Sequence, residues 1–218
     1  MNRSSAAVRY PELPQTEPAA PIRAGIAALA RTMLQLFAVT ANAVLGAEVA
    51  GVRVDPEARV GGIKLVLNGA GLRQKFMVDV YILGLYMPER TTVAEAVTDG
   101  AGTRRISLTF LRDVTAQALI EALHEGVRDN SSDAEFAAIK TSADALAATM
   151  RPLGIAKKGA TVALDYLPEK GSQVVMNGHP VGLPIPGREL YRALLRIWLG
   201  QRPVDPDLKR ALLTGRPS

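Results

Sequence analysis

The sequence predicts an α+β fold in which helices pack over one antiparallel sheet. Short β-type runs, separated by turns that contain glycine, occur in two groups along the chain. A pair of amphipathic helices lies between the two groups, and two more helical segments follow the second group. The predicted order is therefore four strands, two helices, three strands and two helices, which is typical of the α+β class. Because no repeat or internal linker interrupts this order, we expect one domain over residues 48–218.

The composition excludes several classes of protein. A hydrophobic fraction of 48% with 22% charged residues is typical of a globular chain and not of a disordered one. The chain has no cysteine, which excludes disulfides, thiolate metal sites and cysteine nucleophiles. The net charge is +5, but the basic residues are scattered, apart from pairs such as Arg104–Arg105 and Lys157–Lys158. A nucleic-acid partner is therefore not expected, since it would require a basic stripe with interleaved aromatic residues.

Residues 1–47 are predicted to be a leader that directs export to the periplasm. A basic flank precedes the apolar stretch 33–47, which ends in small residues before Glu48. Cleavage is expected after Ala47 or Ala43. The stretch 33–47 is shorter and more polar than the run of about 20 apolar residues that a membrane span needs. No stable span is expected once the leader is removed. Two alternatives are a first helix of a cytoplasmic protein and a start codon assigned too far upstream.

Four strands are predicted from the first group of β-type runs. Gly61-Gly62 is predicted to be a hairpin turn between residues 52–54 and 63–67. Residues 76–87 are mostly apolar at both parities, which indicates a central strand covered on both faces. Residues 105–110 alternate apolar with polar side chains, as expected of a half-buried strand.

Signals for helix ends place the first two helices. Thr115 is a predicted cap for one helix, and Ser132 with Glu135 forms a predicted capping box for the next, which Pro152 ends. The apolar stripes of the two helices fall at helical spacing. The first stripe comprises Ala116, Leu119, Ile120, Leu123 and Val127, and the second comprises Phe136, Ile139, Ala143, Leu146 and Met150.

The second group of strands is predicted at residues 161–167, 173–176 and 181–183. Turns are expected at residues 169–171 and at Asn177-Gly178, the strongest short hairpin signal. A helix over residues 188–199 would bury Leu190, Leu194, Ile197 and Trp198. A last short helix is expected to begin at Asp205-Pro206, since proline is favoured at the first helical position.

Arg73 is the most distinctive candidate for a binding residue. It ends the segment 67–73, which we expect to be a tightly bent loop between two strands. Gly69 and Gly71 have the spacing of a phosphate loop, but the third glycine and the following helix are missing, so a nucleotide site is not predicted. An arginine drawn inward needs an anion. The alternatives are an arginine in water or one paired with Asp79.

Tyr81 is the second candidate. It shares strand parity with Met77, Asp79 and Leu83, so its hydroxyl could lie beside a bound polar head group. The alternative is a core tyrosine whose hydroxyl binds the backbone. His124 and His179 have no partner at metal-ligand spacing, and no nucleophile triad or pair of catalytic carboxylates is recognisable. We therefore predict no metal, no cofactor and no catalytic residue.

Four segments in consistent order resemble the chalcone-isomerase-like superfamily, in particular its exported bacterial members. The resemblance covers roughly residues 49–215. It implies an open-faced β-sandwich of the chalcone isomerase type, with a large antiparallel sheet, helices packed on one face and a ligand cleft between them. The four segments are Leu67-Asn-Gly-Ala-Gly-Leu-Arg73, Val78-Asp-Val-Tyr-Ile-Leu-Gly-Leu-Tyr86, Leu111-Arg-Asp113 and Pro206-Asp-Leu-Lys-Arg210.

The resemblance argues against chalcone cyclisation. Arg73 falls where the plant isomerases keep the arginine that orients the substrate. Tyr81 stands at the position of their strand threonine, which helps to polarise the substrate ketone. Their helix tyrosine, asparagine and late threonine meet Leu119, Gly126 and Ile197. Four of the five polar positions therefore differ.

The fatty-acid-binding branch of the superfamily uses an arginine and a strand tyrosine that Arg73 and Tyr81 match. The resemblance thus implies a non-catalytic binder of an amphipathic acid, with apolar walls from Met77, Leu83, Leu119 and Ile197. One alternative is an intramolecular lyase for a chalcone-like enone, in which Tyr81 polarises the carbonyl and Arg73 holds the oxygenate. Another is a structural or accessory envelope protein whose cleft is filled by Ile197 and Trp198.

Overall fold

The structure, a computed structural model, describes residues 46–215. The predicted leader lies outside the described residues, apart from Gly46 and Ala47. The strands are β1 (Ala47–Val49), β2 (Val52–Val54), β3 (Glu57–Val60), β4 (Ile63–Lys75), β5 (Val78–Met87), β6 (Arg104–Phe110), β7 (Val114–Thr115), β8 (Ile155–Ala156), β9 (Thr161–Leu167), β10 (Gly171–Met176) and β11 (His179–Ile185). The helices are α1 (Ala94–Asp99), α2 (Ala116–Asp129), α3 (Asp133–Met150), α4 (Glu189–Leu199) and α5 (Pro206–Thr214), with a 3₁₀ turn at Arg151–Leu153.

Seven strands form one antiparallel sheet in the order β11-β10-β9-β6-β5-β4-β3. Strand β5 is an interior strand, and residues 82–87 are buried, as the apolar run at both parities predicts. The strand begins at Val78 and not at Phe76, because Phe76 and Met77 form the turn from β4. In β6, buried and half-buried residues alternate, which confirms the predicted half-buried strand.

Each face of the sheet carries its own apolar core. The larger core lies under the helices and includes Leu83, Leu108, Leu123 and Leu194. The smaller core lies on the opposite face, where the β1–β2 hairpin supplies Val49 and Val54 against strands β3, β4 and β5. The α+β class and the open-faced sandwich with helices on one side are therefore confirmed.

The predicted helix ends are confirmed by hydrogen bonds. Thr115 Oγ1 accepts from Ala118 N at 3.1 Å, and Ser132 forms the capping box with Glu135. Helix α3 ends at Met150, just before the 3₁₀ turn that contains Pro152. Asp205 caps α5, whose first residue is Pro206.

One expectation about the first group of strands is wrong in detail, and one short helix was not predicted. The Gly61-Gly62 turn joins β3 to β4, whereas the segment Val52–Val54 pairs with β1. Helix α1 was not predicted, because it has only six residues and its N-cap, Val93, makes no side-chain hydrogen bond. A helix without a cap or a full apolar stripe leaves little signal in the sequence.

The two edges of the sheet are short or interrupted. Strand β3 at one edge has four residues. Strand β11 at the other contains Pro180 and Pro184, and its register with β10 shifts between Ser172 and Val174.

Between residues 46 and 215, no helix combines the length and the apolar character that crossing a bilayer requires.

Candidate functional site

The segment 67–73 is part of strand β4 and not a loop, which corrects the prediction. It pairs with β5 in antiparallel register. Glycines at 69 and 71 recur with a period of two and therefore face the same side of the strand. A Cβ atom on Gly69 would lie 2.3 Å from the carbonyl oxygen of Ala211, in helix α5. This glycine provides room for a helix that packs against the strand.

Asn68 ties helix α5 to strand β4, a role that the sequence did not reveal. The register of β4 with β5 shifts between Leu67 and Gly69, so Asn68 occupies a bulge. Its Nδ2 donates to the carbonyl oxygens of Leu212 at 2.7 Å and Thr91 at 3.0 Å, and its Oδ1 accepts from Thr91 N at 2.7 Å. The sequence feature that could have indicated this role is an asparagine followed by glycine inside an otherwise apolar run.

Arg73 lies opposite Tyr81 in the β4–β5 register, so both side chains belong to the face that the helices cover. Arg73 Nη1 is 3.5 Å from Oδ2 of Asp205, and the two side chains are 19% and 17% exposed. Nη1 also donates to the carbonyl oxygen of Gln74. Asp79, the partner considered from the sequence, instead accepts from Gln74 Nε2 at 2.7 Å.

Asp205 divides its two carboxylate oxygens between a helix and an arginine. Oδ1 accepts from the backbone N–H groups of Asp207 at 3.0 Å and Leu208 at 3.1 Å, at the start of α5. Oδ2 faces Arg73 at 3.5 Å, longer than the 2.7–2.9 Å of a charge-assisted hydrogen bond. The helix thus holds the counter-charge near the guanidinium without a tight contact.

Tyr81 is half-buried, and its hydroxyl is bonded to the only tryptophan of the chain. Trp198 Nε1 donates to Tyr81 Oη at 2.9 Å. The Tyr81 ring packs edge-to-face on the Phe110 ring, with the two ring centroids 6.2 Å apart. Burial raises the pKa of Tyr81, and the Trp198 hydrogen bond and the Arg73 charge oppose this only in part. Tyr81 is therefore a neutral phenol near neutral pH and can act as a hydrogen-bond donor.

Three of the four predicted wall residues lie in the helix-face core, and the fourth does not. Leu83, Leu119 and Ile197 are buried there, and Tyr81 packs against the same core. Met77 is 95% exposed in the turn between β4 and β5. Its assignment to the wall is wrong, because Met77 lies before strand β5 begins at Val78, so it does not share a strand face with Tyr81.

Ile197 packs on helix α2 at Gly126, and Trp198 is buried next to Tyr81. Both residues are only 2% exposed. A Cβ on Gly126 would lie 2.7 Å from Ile197 Cγ2, so the two residues pack directly on each other. Together with Leu119, they make this part of the interior apolar.

An apolar cavity of about 60 Å³ lies one helical turn farther along α2 and α4 from Leu119 and Trp198. Leu123, four residues after Leu119, and Leu194, four residues before Trp198, line the near end of this cavity. The cavity sits among helices α2, α3 and α4. Its other lining residues are Ile120, His124, Val127, Phe136, Ala143, Asp144, Leu146, Ala147, Met150 and Leu190.

A larger, polar groove of about 520 Å³ lies between α1 and the ends of α2 and α4. Its polar groups bind one another: Arg196 Nη1 contacts the side-chain Oε1 of Glu135 at 3.0 Å, and Lys209 Nζ donates to the backbone carbonyl of Gly200 at 2.8 Å. Such a groove suits no apolar tail. In residues 46–215, no group of three or more histidine, aspartate or glutamate side chains could hold a metal ion.

The sequence profile described as chalcone isomerase-like matches residues 46–214. The chain belongs to the chalcone isomerase-like family. Among solved structures, this family member is similar to the fatty-acid binding protein of Arabidopsis thaliana, with a TM-score of 0.60 and 16% sequence identity. The match covers 75% of this chain and 92% of that one, which shows a shared fold. A comparison with curated protein sequences finds no match.

Proposed function

We propose that this chalcone isomerase-like chain binds an amphipathic carboxylic acid, such as a fatty acid, between the sheet and the helices, and catalyses no reaction on it. The observation that carries the proposal is the register pair of Arg73 and Tyr81 on the helix face. One residue is a permanent cation and the other is a neutral phenol. The fatty-acid binding of the Arabidopsis relative, which its name states, supports the same function.

The carboxylate of the ligand would bind at Arg73 in competition with Asp205. A carboxylate that enters can approach the guanidinium more closely than the 3.5 Å of the internal ion pair. Each charge-assisted hydrogen bond formed there contributes about 1.5–3 kcal/mol when shielded from water. Because Trp198 donates to the oxygen of Tyr81, the proton of Tyr81 can point to the ligand. Asp205 would keep its two bonds to the start of α5.

The tail would run past Leu119 and Ile197 to the apolar cavity at Leu123 and Leu194. That cavity measures about 60 Å³, whereas ligand pockets usually enclose about 300–1,000 Å³. Binding therefore requires helices α2 and α3 to move away from α4. Each methylene group buried in the space so opened contributes about 0.8 kcal/mol.

Calorimetric titration of the delipidated full chain with dodecanoic acid tests the proposal. We expect the native chain to bind the acid and Arg73→Gln to bind it with an affinity at least about tenfold lower. Arg53→Gln is the matched control, because Arg53 is an exposed arginine of β2 on the opposite face of the sheet. Absence of binding by the native chain, or equal losses in both variants, would contradict the proposal.

A second candidate is a structural or accessory protein with a filled interior. The 2% exposure of Ile197 and Trp198 favours it, since Trp198 packs next to Tyr81 and Ile197 packs on Gly126. Under this function the native chain does not bind dodecanoic acid, and Trp198→Ala creates a cavity and binds it. Under the binding function the native chain binds the acid with Trp198 in place.

We also propose that the chain acts in the periplasm after removal of its leader. Strand β1 supports cleavage after Ala43 over cleavage after Ala47, because Ala47 pairs with Val54 in the first hairpin. N-terminal sequencing of the protein from fractionated cells is expected to begin at Val44. A first residue of Met1 in the cytoplasmic fraction would contradict export.

A further inference from the structure

The hairpin between β4 and β5 presents two large apolar side chains to solvent at its tip. Lys75 and Val78 are the last paired residues, so Phe76 and Met77 form a two-residue loop. Phe76 is 90% exposed and Met77 is 95% exposed. Contiguous apolar surface of this kind marks an interaction site more often than a lone exposed leucine does.

The backbone of this turn is unfavourable for the residues that it carries. Phe76 and Met77 have φ values of 50° and 61°, and a two-residue hairpin loop with both φ values positive has the character of a type I′ turn. The β10–β11 hairpin has the same kind of turn, with φ of 49° at Asn177 and 83° at Gly178. Asn-Gly is the preferred pair for this geometry, whereas bulky side chains there are strained. Strain of this kind is typical of functional sites.

The tip extends beyond its neighbouring strand. The last register pair between β5 and β6 joins Tyr81 to Phe110, and Leu111 N donates to the carbonyl of Val80. Val78 and Asp79 continue past that point, which places the loop about 7 Å farther out. Phe76 and Met77 are thus the residues that would meet a surface approaching this end of the sheet.

The same end of the sheet is basic. Strand β6 ends at Phe110, whose carbonyl accepts from Gly159 N, so the segments 111–113 and 157–160 lie at this end with the tip. Both acids at this end have partners: Asp113 forms an ion pair with Lys157 Nζ at 2.8 Å and accepts from Lys158 N at 2.9 Å, and Asp79 of β5 accepts from Gln74 Nε2 at 2.7 Å. The exposed charged residues here are four cations, Lys75, Arg112, Lys157 and Lys158, and two acids, Asp79 and Asp113.

We propose that this end of the molecule docks on an anionic lipid bilayer. Phe76 and Met77 would enter the interface between head groups and acyl chains, and the surrounding cations would face the lipid phosphates. Apolar insertion combined with cationic contacts is the pairing that gives reversible attachment to anionic membranes. Docking would also bring Arg73 and Tyr81 close to the bilayer, a consequence that rests on the proposed function.

Co-sedimentation of the full chain with vesicles tests the docking. The vesicles contain equal parts of phosphatidylglycerol and phosphatidylethanolamine, and vesicles of phosphatidylcholine alone test the need for anionic lipid. The double variant Phe76→Asn with Met77→Gly removes the apolar tip and supplies the pair that this turn prefers, so the hairpin is kept. Its partition onto anionic vesicles is expected to fall about tenfold. Leu183→Ser is the matched control, because Leu183 is 84% exposed on the edge strand β11.

Equal partition of the native chain and the double variant, or no partition of the native chain, would overturn the proposal. A fluorescent label gives a second readout that other parts of the chain do not affect. Because the chain has no cysteine, Met77→Cys and Leu183→Cys each allow a single nitrobenzoxadiazole label. On anionic vesicles, a blue shift is expected at position 77 and none at position 183. No shift at position 77 would equally exclude docking.

Dodecanoic acid titration of the double variant without vesicles separates docking from ligand binding. Unchanged affinity is expected, because the tip lies outside the helix-face core. A variant that loses vesicles but keeps the acid supports docking as an independent property. Vesicle binding by a native chain that takes up no acid would contradict the proposed function and leave docking supported.

Discussion

One aspartate connects helix capping with the chemistry of the candidate site. Asp205 was predicted from the sequence to lie at the start of the last helix, and its Oδ1 does cap α5. Its second oxygen faces Arg73 at 3.5 Å. The sequence could not show this contact, because it depends on how α5 lies along β4. Asp205 therefore competes with any carboxylate that approaches Arg73.

Asp205→Asn is expected to tighten dodecanoic acid binding about tenfold. Asparagine caps a helix as well as aspartate does, so α5 is kept while the competing charge is removed. Calorimetric titration measures the affinity, and a thermal melt verifies that the fold is intact. An unchanged or weaker affinity in a folded variant would show that Asp205 does not compete with the ligand.

Tyr81→Phe is expected to reduce the free energy of unfolding by about 1–3 kcal/mol, because it leaves the buried Trp198 Nε1 without its acceptor. Urea unfolding measures the loss. Adding Trp198→Phe removes the donor as well, so the double variant should lose less than the sum of the two single losses. Strictly additive losses would mean that the two groups are not coupled.

At the scale of elements, strand β4 shows where sequence patterns are ambiguous. Glycines two residues apart are compatible with a loop and also with one face of a strand, and the loop was predicted. The deciding factor is helix α5, which approaches Gly69 so closely that a side chain would meet its carbonyl groups. Contacts between elements far apart in sequence leave no local pattern, and this is also why the role of Asn68 was missed.

Gly69→Ala is expected to destabilise the protein by about 1–3 kcal/mol, since the new methyl group would lie 2.3 Å from the Ala211 carbonyl. Gly102→Ala is the matched control, because its nearest contact would be an ordinary 3.7 Å to Pro88. Urea midpoints of the two variants give the comparison. Equal midpoints would mean that α5 can shift away from β4 at little cost.

The start of helix α3 should make stability depend on pH. The backbone N–H of Ser132 and the guanidinium of Arg196 lower the pKa of Glu135 from 4.5 to about 2. A carboxyl group whose pKa is lowered on folding stabilises the fold fully above its unfolded pKa. That contribution is lost as the pH falls from about 4.5 toward about 2.

Glu135→Gln isolates this effect. Near neutral pH the native chain should have the higher urea midpoint, and the difference should shrink as the medium is acidified through that window. The glutamine can keep hydrogen bonds of the cap but not the charge. A difference that stays constant with pH would assign the effect to packing.

On the scale of the whole molecule, two cores share one sheet, and the sequence predicted them unequally. The alternation in β6 and the stripes of α2 and α4 follow from periodicity, so the helix-face core could be predicted. The opposite core depends on how the β1–β2 hairpin folds over β3, β4 and β5. Three-residue strands such as β1 and β2 carry too few positions for a period to be recognised.

Because both cores use the same strands, residues 46–215 are expected to unfold in one transition. Trp198 reports on the helix-face core through its fluorescence, and far-ultraviolet circular dichroism reports on the sheet and the helices together. The two signals should give the same urea midpoint. Separate midpoints would mean that the second core and the helix layer unfold independently.

The borders of the sheet have a consequence for crowded conditions. Pro180 and Pro184 supply no N–H donor along β11, and β3 offers only four residues for pairing. A long, regular border would act as a template for strands from other copies and start fibril growth. The two prolines at one edge and the short strand at the other interrupt the row of backbone hydrogen bonds that an added strand would need. Another copy of the chain therefore gains little by pairing with either edge.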